Sequence, residues 1–219
     1  MSTLVVTGAQ GRLGRVIAAK FSQMGREVVG VDSSTEDVGL IPCYQADLTD
    51  EGSVADVFEQ IRQTHGEIDV LIHTVGMWDG HPTSGFSLDR WKTVLDVNLT
   101  STFLVFREAL RLAENHRNSS SLRLIAMASG QGADRGLAEQ AAYSAAKAGV
   151  IRLVESIAAE YPERNVTAHA IAPSMILFDG MQDEAGISVH EIANLCAVLA
   201  GDAGGLMTGT TIRAYGSVV

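Results

Sequence analysis

The sequence predicts an α/β fold, a doubly wound parallel sheet of about seven strands with helices on both faces. Three observations predict it. Short apolar runs rich in Val and Ile alternate with helical patterns along the whole chain, the rhythm of strand-helix-strand units. A glycine-punctuated turn follows the first run and opens the first helix. The 219 residues are 46% hydrophobic and 19% charged, which suits a packed globular core. With no internal repeat, low-complexity tract or linker, residues 1–219 form a single expected domain.

Leu4-Val5-Val6 is the first strand and ends in Thr7-Gly8. From about Val16 to Met24 the apolar residues Val16, Ile17, Ala18 and Phe21 recur at helical spacing, and Gly25 stops them. Val28-Val29-Gly30-Val31 is a buried strand closing on Asp32, and the whole unit has the length of a parallel crossover. Cys43-Tyr44-Gln45 then leads to Asp47, a helix covers roughly Glu51 to His65, and Asp69-Val70-Leu71-Ile72 is the fourth strand. A long helical stretch runs from about Leu88 through Asn98 to Leu112, ahead of a fifth strand at Arg123-Leu124-Ile125-Ala126-Met127. An alanine-rich helix covers about Ala141 to Glu160, and a sixth strand over Val166–Ile171 is stopped by Pro173. A last helix spans about Val189 to Ala200, and Thr211-Ile212-Arg213-Ala214 is the seventh strand.

Composition excludes several functions. Sixteen Lys and Arg against twenty-six Asp and Glu leave a net charge of -10, the wrong sign for a phosphate-neutralising face, so no nucleic acid is expected. The two cysteines, Cys43 and Cys196, rule out a disulfide framework and multi-cysteine zinc motifs, and they suit a reducing, cytoplasmic location. No apolar run approaches a membrane span, and the N-terminus enters a strand pattern without a signal-peptide layout. The six histidines show no metal-ligand spacing, so no metal is expected.

Thr7-Gly8-Ala9-Gln10-Gly11-Arg12-Leu13-Gly14 lies where a dinucleotide fingerprint belongs, between first strand and first helix. Its glycines permit a tight turn and let backbone N–H groups approach a pyrophosphate, whose charge the helix N-terminus favours. Asp32, at the end of the second strand, is placed to accept both hydroxyls of an adenosine ribose; beside Ser33 and Ser34 it also suits a turn or cap. The same carboxylate repels a 2′-phosphate, and Ser33, Ser34 and Thr35 bring no basic residue, so NAD is expected over NADP. Arg12 pulls the other way; Arg12 and Arg15 either reach a cofactor phosphate or stand solvated on the first helical turn. Asp47 and Leu48, after the third strand, are candidates for the adenine edge, with a helix cap the other reading of Asp47.

Tyr143 and Lys147, four apart on a helix, share one face. An ammonium beside a phenol favours the phenolate, so Lys147 is expected to lower the Tyr143 pKa, and the Ser129 hydroxyl is placed to polarise a substrate oxygen. Together Ser129 and Tyr143-Ser144-Ala145-Ala146-Lys147 resemble the active-site signature of the short-chain dehydrogenase/reductase family, whose members have a Rossmann fold. The resemblance covers nearly the whole chain. It implies an NAD(P)-dependent oxidoreductase moving a hydride between nicotinamide and a small-molecule carbonyl or secondary alcohol. Tyr143 is then the acid/base, Lys147 holds the nicotinamide ribose, Ser129 orients the carbonyl oxygen and Asn98 holds a water that extends a proton relay. Asn98 alone reads equally as a buried, helix-bending amide. Gly76 matches the last residue of the family's Asn-Asn-Ala-Gly stretch, and Pro173 and Ile176 match the segment whose backbone meets the nicotinamide carboxamide. Relatives pair through the helices of Asn98 and Tyr143, which implies a homodimer or homotetramer.

The chain departs from the family pattern in four places. Its glycines, Gly8, Gly11 and Gly14, have the spacing of the larger, epimerase-like branch; His73-Thr74-Val75-Gly76 keeps only the final Gly of its stretch; Phe178 replaces a Thr that hydrogen-bonds the nicotinamide amide; and the lid between Pro173 and Val189 is short. Phe178–Ser188 cannot bury two helices, so the substrate side is expected to be open, covered by a bulky flat substrate or a neighbouring subunit, with Met77, Trp78 and Phe178 as an apolar wall. These departures keep two alternatives: a non-catalytic cofactor-sensing or scaffold protein on the same fold, and a nucleotide-sugar epimerase or dehydratase, for which the chain lacks the length of a sugar-nucleotide lobe.

Overall fold

A computed structural model describes residues 3–34, 41–114, 121–130, 132, 135–161, 165–181 and 186–216. One seven-stranded parallel sheet takes strands from both ends of the described chain, in the order β3-β2-β1-β4-β5-β6-β9. These are β1 (Thr3–Thr7), β2 (Glu27–Asp32), β3 (Cys43–Gln45), β4 (Ile68–His73), β5 (Leu122–Met127), β6 (Val166–Pro173) and β9 (Thr210–Ala214). The seven strands expected from the apolar runs are all present, and the doubly wound architecture follows as predicted. Two three-residue strands, β7 (Met175–Leu177) and β8 (Gly186–Ser188), form a separate parallel ladder after β6.

Burial explains the arrangement. Every residue of β1 and β5 is buried, because strands covered on both faces hold no solvent side. Val5, Leu71 and Leu124 point into one core, and Leu4, Val6, Ile72 and Ile125 into the other, the period-two alternation of a strand. Helices α1 (Arg12–Gln23) and α6 (Val189–Ala200) pack over the second core, with Leu13, Ile17, Phe21, Ile192 and Cys196 inward. Helices α2 (Glu51–His65), α4 (Ser101–Glu114) and α5 (Ala141–Glu160) cover the first. Asp50 caps α2, accepting the Ser53 N–H at 2.7 Å, and Ser188 with Glu191 forms a capping box on α6. A short helix α7 (Asp202–Gly205) leads into β9.

The long helix expected around Asn98 is broken in the middle. Helix α3 (Leu88–Leu95) passes through a π-turn at Asp96–Thr100 into α4. Such turns insert one extra residue and recur at functional sites.

The chain winds outward from β1 to β3, then crosses back to add β4 on the other side of β1. The carboxyl ends of β1 and β4 therefore flank a crevice, the position at which doubly wound sheets bind ligands. A buried histidine ties its walls together. Ser101 Oγ donates its proton to Val97 O at 2.6 Å, so His73 Nε2, 3.1 Å away, is the donor to Ser101. His73 Nδ1 then accepts from the Thr7 hydroxyl at 2.7 Å, and one neutral tautomer satisfies β1, β4 and α4 at once.

Burial pulls the His73 pKa down to about 3, with Lys147 adding repulsion, and burial likewise pulls His169 on β6 down to about 4. Both folded values lie below the ordinary value of about 6.5. As pH falls from there toward 4, and toward 3 for His73, the unfolded chain takes up protons that the folded chain refuses. Stability should drop on acidification by up to about 1.4 kcal/mol per pH unit for each histidine. Urea denaturation at pH 7, 6 and 5 should show this slope, and His73→Asn should reduce it by roughly one proton's share; an unchanged slope in the variant would mean that His73 is not held neutral.

Candidate active site

The turn after β1 is built by its own backbone. Gly8, at φ 74°, donates its N–H to Val31 O at 2.8 Å, Gln10 N–H reaches Asp32 Oδ2 at 2.9 Å, and Gly11 N–H returns to Gly8 O at 3.0 Å. A side chain at Gly8 would also meet Thr74 Oγ1 at 2.6 Å, and a Cβ at Gly14 would collide with the Gly8 carbonyl. Gly8, Gln10 and Gly11 thus shape the tight turn that the sequence reading assigns to the glycines. The N–H groups left for an anion are those of the first turn of α1, at Arg12, Leu13 and Gly14; Gly11, the N-cap, provides no side-chain cap, and that turn holds no acidic residue. Asp32 Oδ1 accepts from Ser33 N–H at 2.8 Å, so the carboxylate is fixed at the mouth of the crevice. Asp47 forms a local turn, its Oδ1 accepting from Thr49 N–H at 2.9 Å and Oγ1 at 2.7 Å, and these bonds hold its carboxyl below the ordinary range. Leu48 is buried in the first core.

Across the crevice, the strand β5 and helix α5 bring Ser129, Tyr143 and Lys147 together. Tyr143 is hydrogen-bonded to Ser129. Lys147 is buried at 4% exposure, and its Nζ donates to Met127 O at 2.8 Å while lying 5.8 Å from the centre of the Tyr143 ring. Burial lowers the Lys147 pKa to about 8. The expected depression of Tyr143 by that ammonium is corrected here. Burial raises the phenol's pKa and only Ser129 works against it, because Nζ is directed to the β5 carbonyl.

Asn98, fully buried in the π-turn, donates to Met77 O and Val94 O, both at 2.8 Å, and accepts Met77 N–H at 3.2 Å. The amide therefore holds the start of the loop after β4. Gly76 sits beneath it: a Cβ there would stand 2.9 Å from Asn98 Oδ1 and 3.1 Å from Lys147 Nζ. Gly76, Asn98 and Lys147 thus share one small space.

The loop then runs along the N-terminal end of α5. Trp78 is 61% exposed with its ring against Gly80, Asp79 is forked by Arg90, and His81 N–H donates to Glu139 O at 2.7 Å. Glu139, one turn before Tyr143, holds φ 63°, a strained value for a residue with a side chain. Sequence reasoning missed Glu139 and the Met127 carbonyl, since neither backbone role leaves a mark on residue type.

On the lid side, Pro173 ends β6 opposite Ala214, and Ile176 pairs with Ile187 in the β7–β8 ladder. Residues 178–181 form one turn, closed by Met181 N–H to Phe178 O at 2.9 Å with Gly180 at φ 86°; residues 182–185 of the expected lid lie outside the described residues. Phe178 is not a free part of a substrate wall, because the Arg12 guanidinium covers its ring, 3.8 Å from the centre. Among the described residues no group of His, Cys, Asp and Glu is arranged to hold a metal, and no helix is long and apolar enough to cross a membrane.

Comparison with known proteins gives a consistent picture. The family model for short chain dehydrogenase matches residues 2–186. The 3-oxoacyl-acyl-carrier-protein reductase FabG of Escherichia coli strain K12 is 30% identical over 98% of this chain and 96% of its own. The aldohexose dehydrogenase of Thermoplasma acidophilum superposes with a TM-score of 0.88 at 22% identity, covering 97% of this chain and 91% of its own. An NAD+-bound xylitol dehydrogenase superposes with a TM-score of 0.86 at 22% identity, covering 99% and 98%. At that identity the two structures speak for the fold.

The space shared by Gly76, Asn98 and Lys147 predicts a sharp local intolerance. Gly76→Ala forces a methyl onto two buried polar groups and should destabilise by roughly 1–3 kcal/mol. Gly136→Ala, where nothing lies within 4 Å of the added carbon, should stay within about 0.5 kcal/mol of the parent. Urea midpoints compare the two; equal effects would show that the floor of the site yields.

Proposed function

The chain belongs to the short-chain dehydrogenase family, and on that premise we propose how its own residues carry the reaction. It is an oxidoreductase that moves a hydride between a nicotinamide cofactor and a substrate. Its named relatives above are reductases and dehydrogenases, which lends nothing to a sensor or scaffold. The residues present fit the cofactor: an uncapped first turn of α1 suits a pyrophosphate and Asp32 suits a ribose. The bound cofactor supplies or accepts the hydride.

The observation that carries the reading is the convergence of Ser129, Tyr143 and Lys147. Tyr143 gives its proton to the nascent alkoxide in reduction and takes the alcohol proton in oxidation. A phenol carries its proton at neutral pH, the form that reduction requires. Ser129, already bonded to Tyr143, orients the substrate oxygen. Lys147, fixed by Met127 O, holds the nicotinamide ribose, and Asn98 anchors the relay water from the edge of the space over Gly76. Gly8, Gln10, Gly11, Arg12, Leu13, Gly14, Asp47, Leu48, Pro173 and Ile176 line the cofactor's path as the family pattern implies. Residues 1–219 act as one catalytic domain on a small carbonyl or secondary alcohol, in the cytoplasm as a homodimer or homotetramer. The two free cysteines support the compartment.

NAD is the preferred cofactor in this reading. Asp32 presents a carboxylate at the end of β2, and Gln10 and Ser33 fix it there. A 2′-phosphate brought beside it meets like charge.

Two measurements test these roles. Tyr143→Phe should cut turnover by about a hundredfold or more with cofactor affinity retained, since it removes the only proposed proton donor; near-normal turnover would end that assignment. In calorimetry NADH should bind at least about tenfold tighter than NADPH, and Asp32→Ser should shrink the gap. Tighter NADPH binding by the parent would overturn the preference.

A further inference from the structure

We propose that Arg12 and Phe178 form a clasp across the cofactor crevice, in which Phe178 positions the Arg12 guanidinium as counter-charge to the cofactor's pyrophosphate. The inference rests on the nicotinamide-cofactor reading above and extends it to Arg12 and to Phe178, which departs from the family's pattern.

Arg12 is the first residue of α1, beside the N–H groups that the turn leaves for an anion. Among the described residues no carboxylate forms an ion pair with it. Its guanidinium lies instead on the face of Phe178, with Cζ 3.8 Å from the ring centre. A guanidinium on an aromatic face is held in place while its N–H edge stays open to an oxyanion, so stacking orients the cation without neutralising it.

The support beneath Phe178 is built for position. Its carbonyl closes the 178–181 turn, the carboxylate of the next residue, Asp179, lies 3.1 Å from His190 Nε2 on α6, and β7, paired with β8, comes just before the turn. Helices α1 and α6 pack against the same sheet face, so both halves of the clasp stand on mutually packed elements.

Direction separates this role from recognition of a 2′-phosphate. Asp32, the ribose candidate, ends β2, whereas Phe178 follows β6 and β7; β2 and β6 lie on opposite sides of β1 in the sheet. Arg12 is therefore turned away from the adenosine ribose and toward the nicotinamide half of the crevice. Phe178, at the start of the short lid, thereby serves the cofactor rather than the substrate.

Calorimetry with NAD+, NADP+, ADP-ribose and adenosine tests the clasp on the parent, Arg12→Met, Phe178→Leu and Phe178→Tyr. Arg12→Met removes a charge-assisted hydrogen bond to the pyrophosphate, so it should weaken NAD+, NADP+ and ADP-ribose alike by about tenfold or more and leave adenosine unchanged. Phe178→Leu, which keeps apolar bulk but removes the π face, should weaken the same three by about three- to tenfold, and Phe178→Tyr should restore them. Unchanged ADP-ribose affinity in Arg12→Met overturns the proposal. So does a loss confined to NADP+, which would assign Arg12 to the 2′-phosphate, or an equal loss for adenosine. A parent that binds none of the nucleotides would instead take down the nicotinamide reading itself.

Discussion

A lysine ammonium taken out of water needs partners and space, and the accommodation of Lys147 sets the form of the site. Its Nζ is tied to the carbonyl of Met127 at the end of β5, so the strand and helix α5 have one relative placement. The space on its other side exists only because residue 76 has no side chain. Asn98 borders that same space from a π-turn, the kind of helix interruption that recurs at functional sites. Tyr143 follows passively, one turn before Lys147 on α5, and meets Ser129 because β5 ends where it does.

The sheet supplies the rigidity that this arrangement requires. Thr7, His73 and Ser101 form a single hydrogen-bonded chain from β1 through β4 to α4, with the proton order settled by the Ser101 bond to Val97. The glycine turn, the loop carrying Gly76 and the π-turn carrying Asn98 each begin within a few residues of one member of that chain. A neutral imidazole does this where the family's stretch has Asn, because both ring nitrogens find hydroxyl partners. Thr74 completes the join, donating through N–H and Oγ1 to Thr7 O at 3.0 and 2.8 Å.

Most of the architecture was legible from residue pattern. The apolar runs at Leu4–Val6, Val28–Val31 and Arg123–Met127 are buried on both faces, so their composition announces their place. The spacing of Tyr143 and Lys147, and Ser129 ahead of them, pointed to the site because these side chains carry their chemistry on view. What stayed hidden depends on backbone geometry and on contacts between distant residues. A π-turn at Asp96–Thr100 disturbs no hydrophobic period strongly enough to be read, and three-residue strands such as β7 and β8 leave no alternation to count. The pKa direction of Tyr143 is hidden for the same reason: helical spacing fixes which face Lys147 occupies, not which oxygen its proton chooses. Arg12 on Phe178 joins residues far apart in the chain, beyond any local pattern.

The small ladder of β7 and β8 has a bearing on how such a site changes over generations. The two strands run parallel, so the chain leaves the ladder at Leu177, beside Ser188, and comes back to it at Gly186, beside Met175, with both points fixed by the pairing. Whatever joins the two starts and ends at points that the ladder holds in place. The entropy of closing a loop grows only logarithmically with length, by about 0.6 kcal/mol per doubling. Segments of very different size can therefore be spliced in at this junction without disturbing Ile176 below it or the capping box that starts α6. The ladder acts as a socket, and one catalytic frame can be refitted for new substrates by exchanging what is plugged into it.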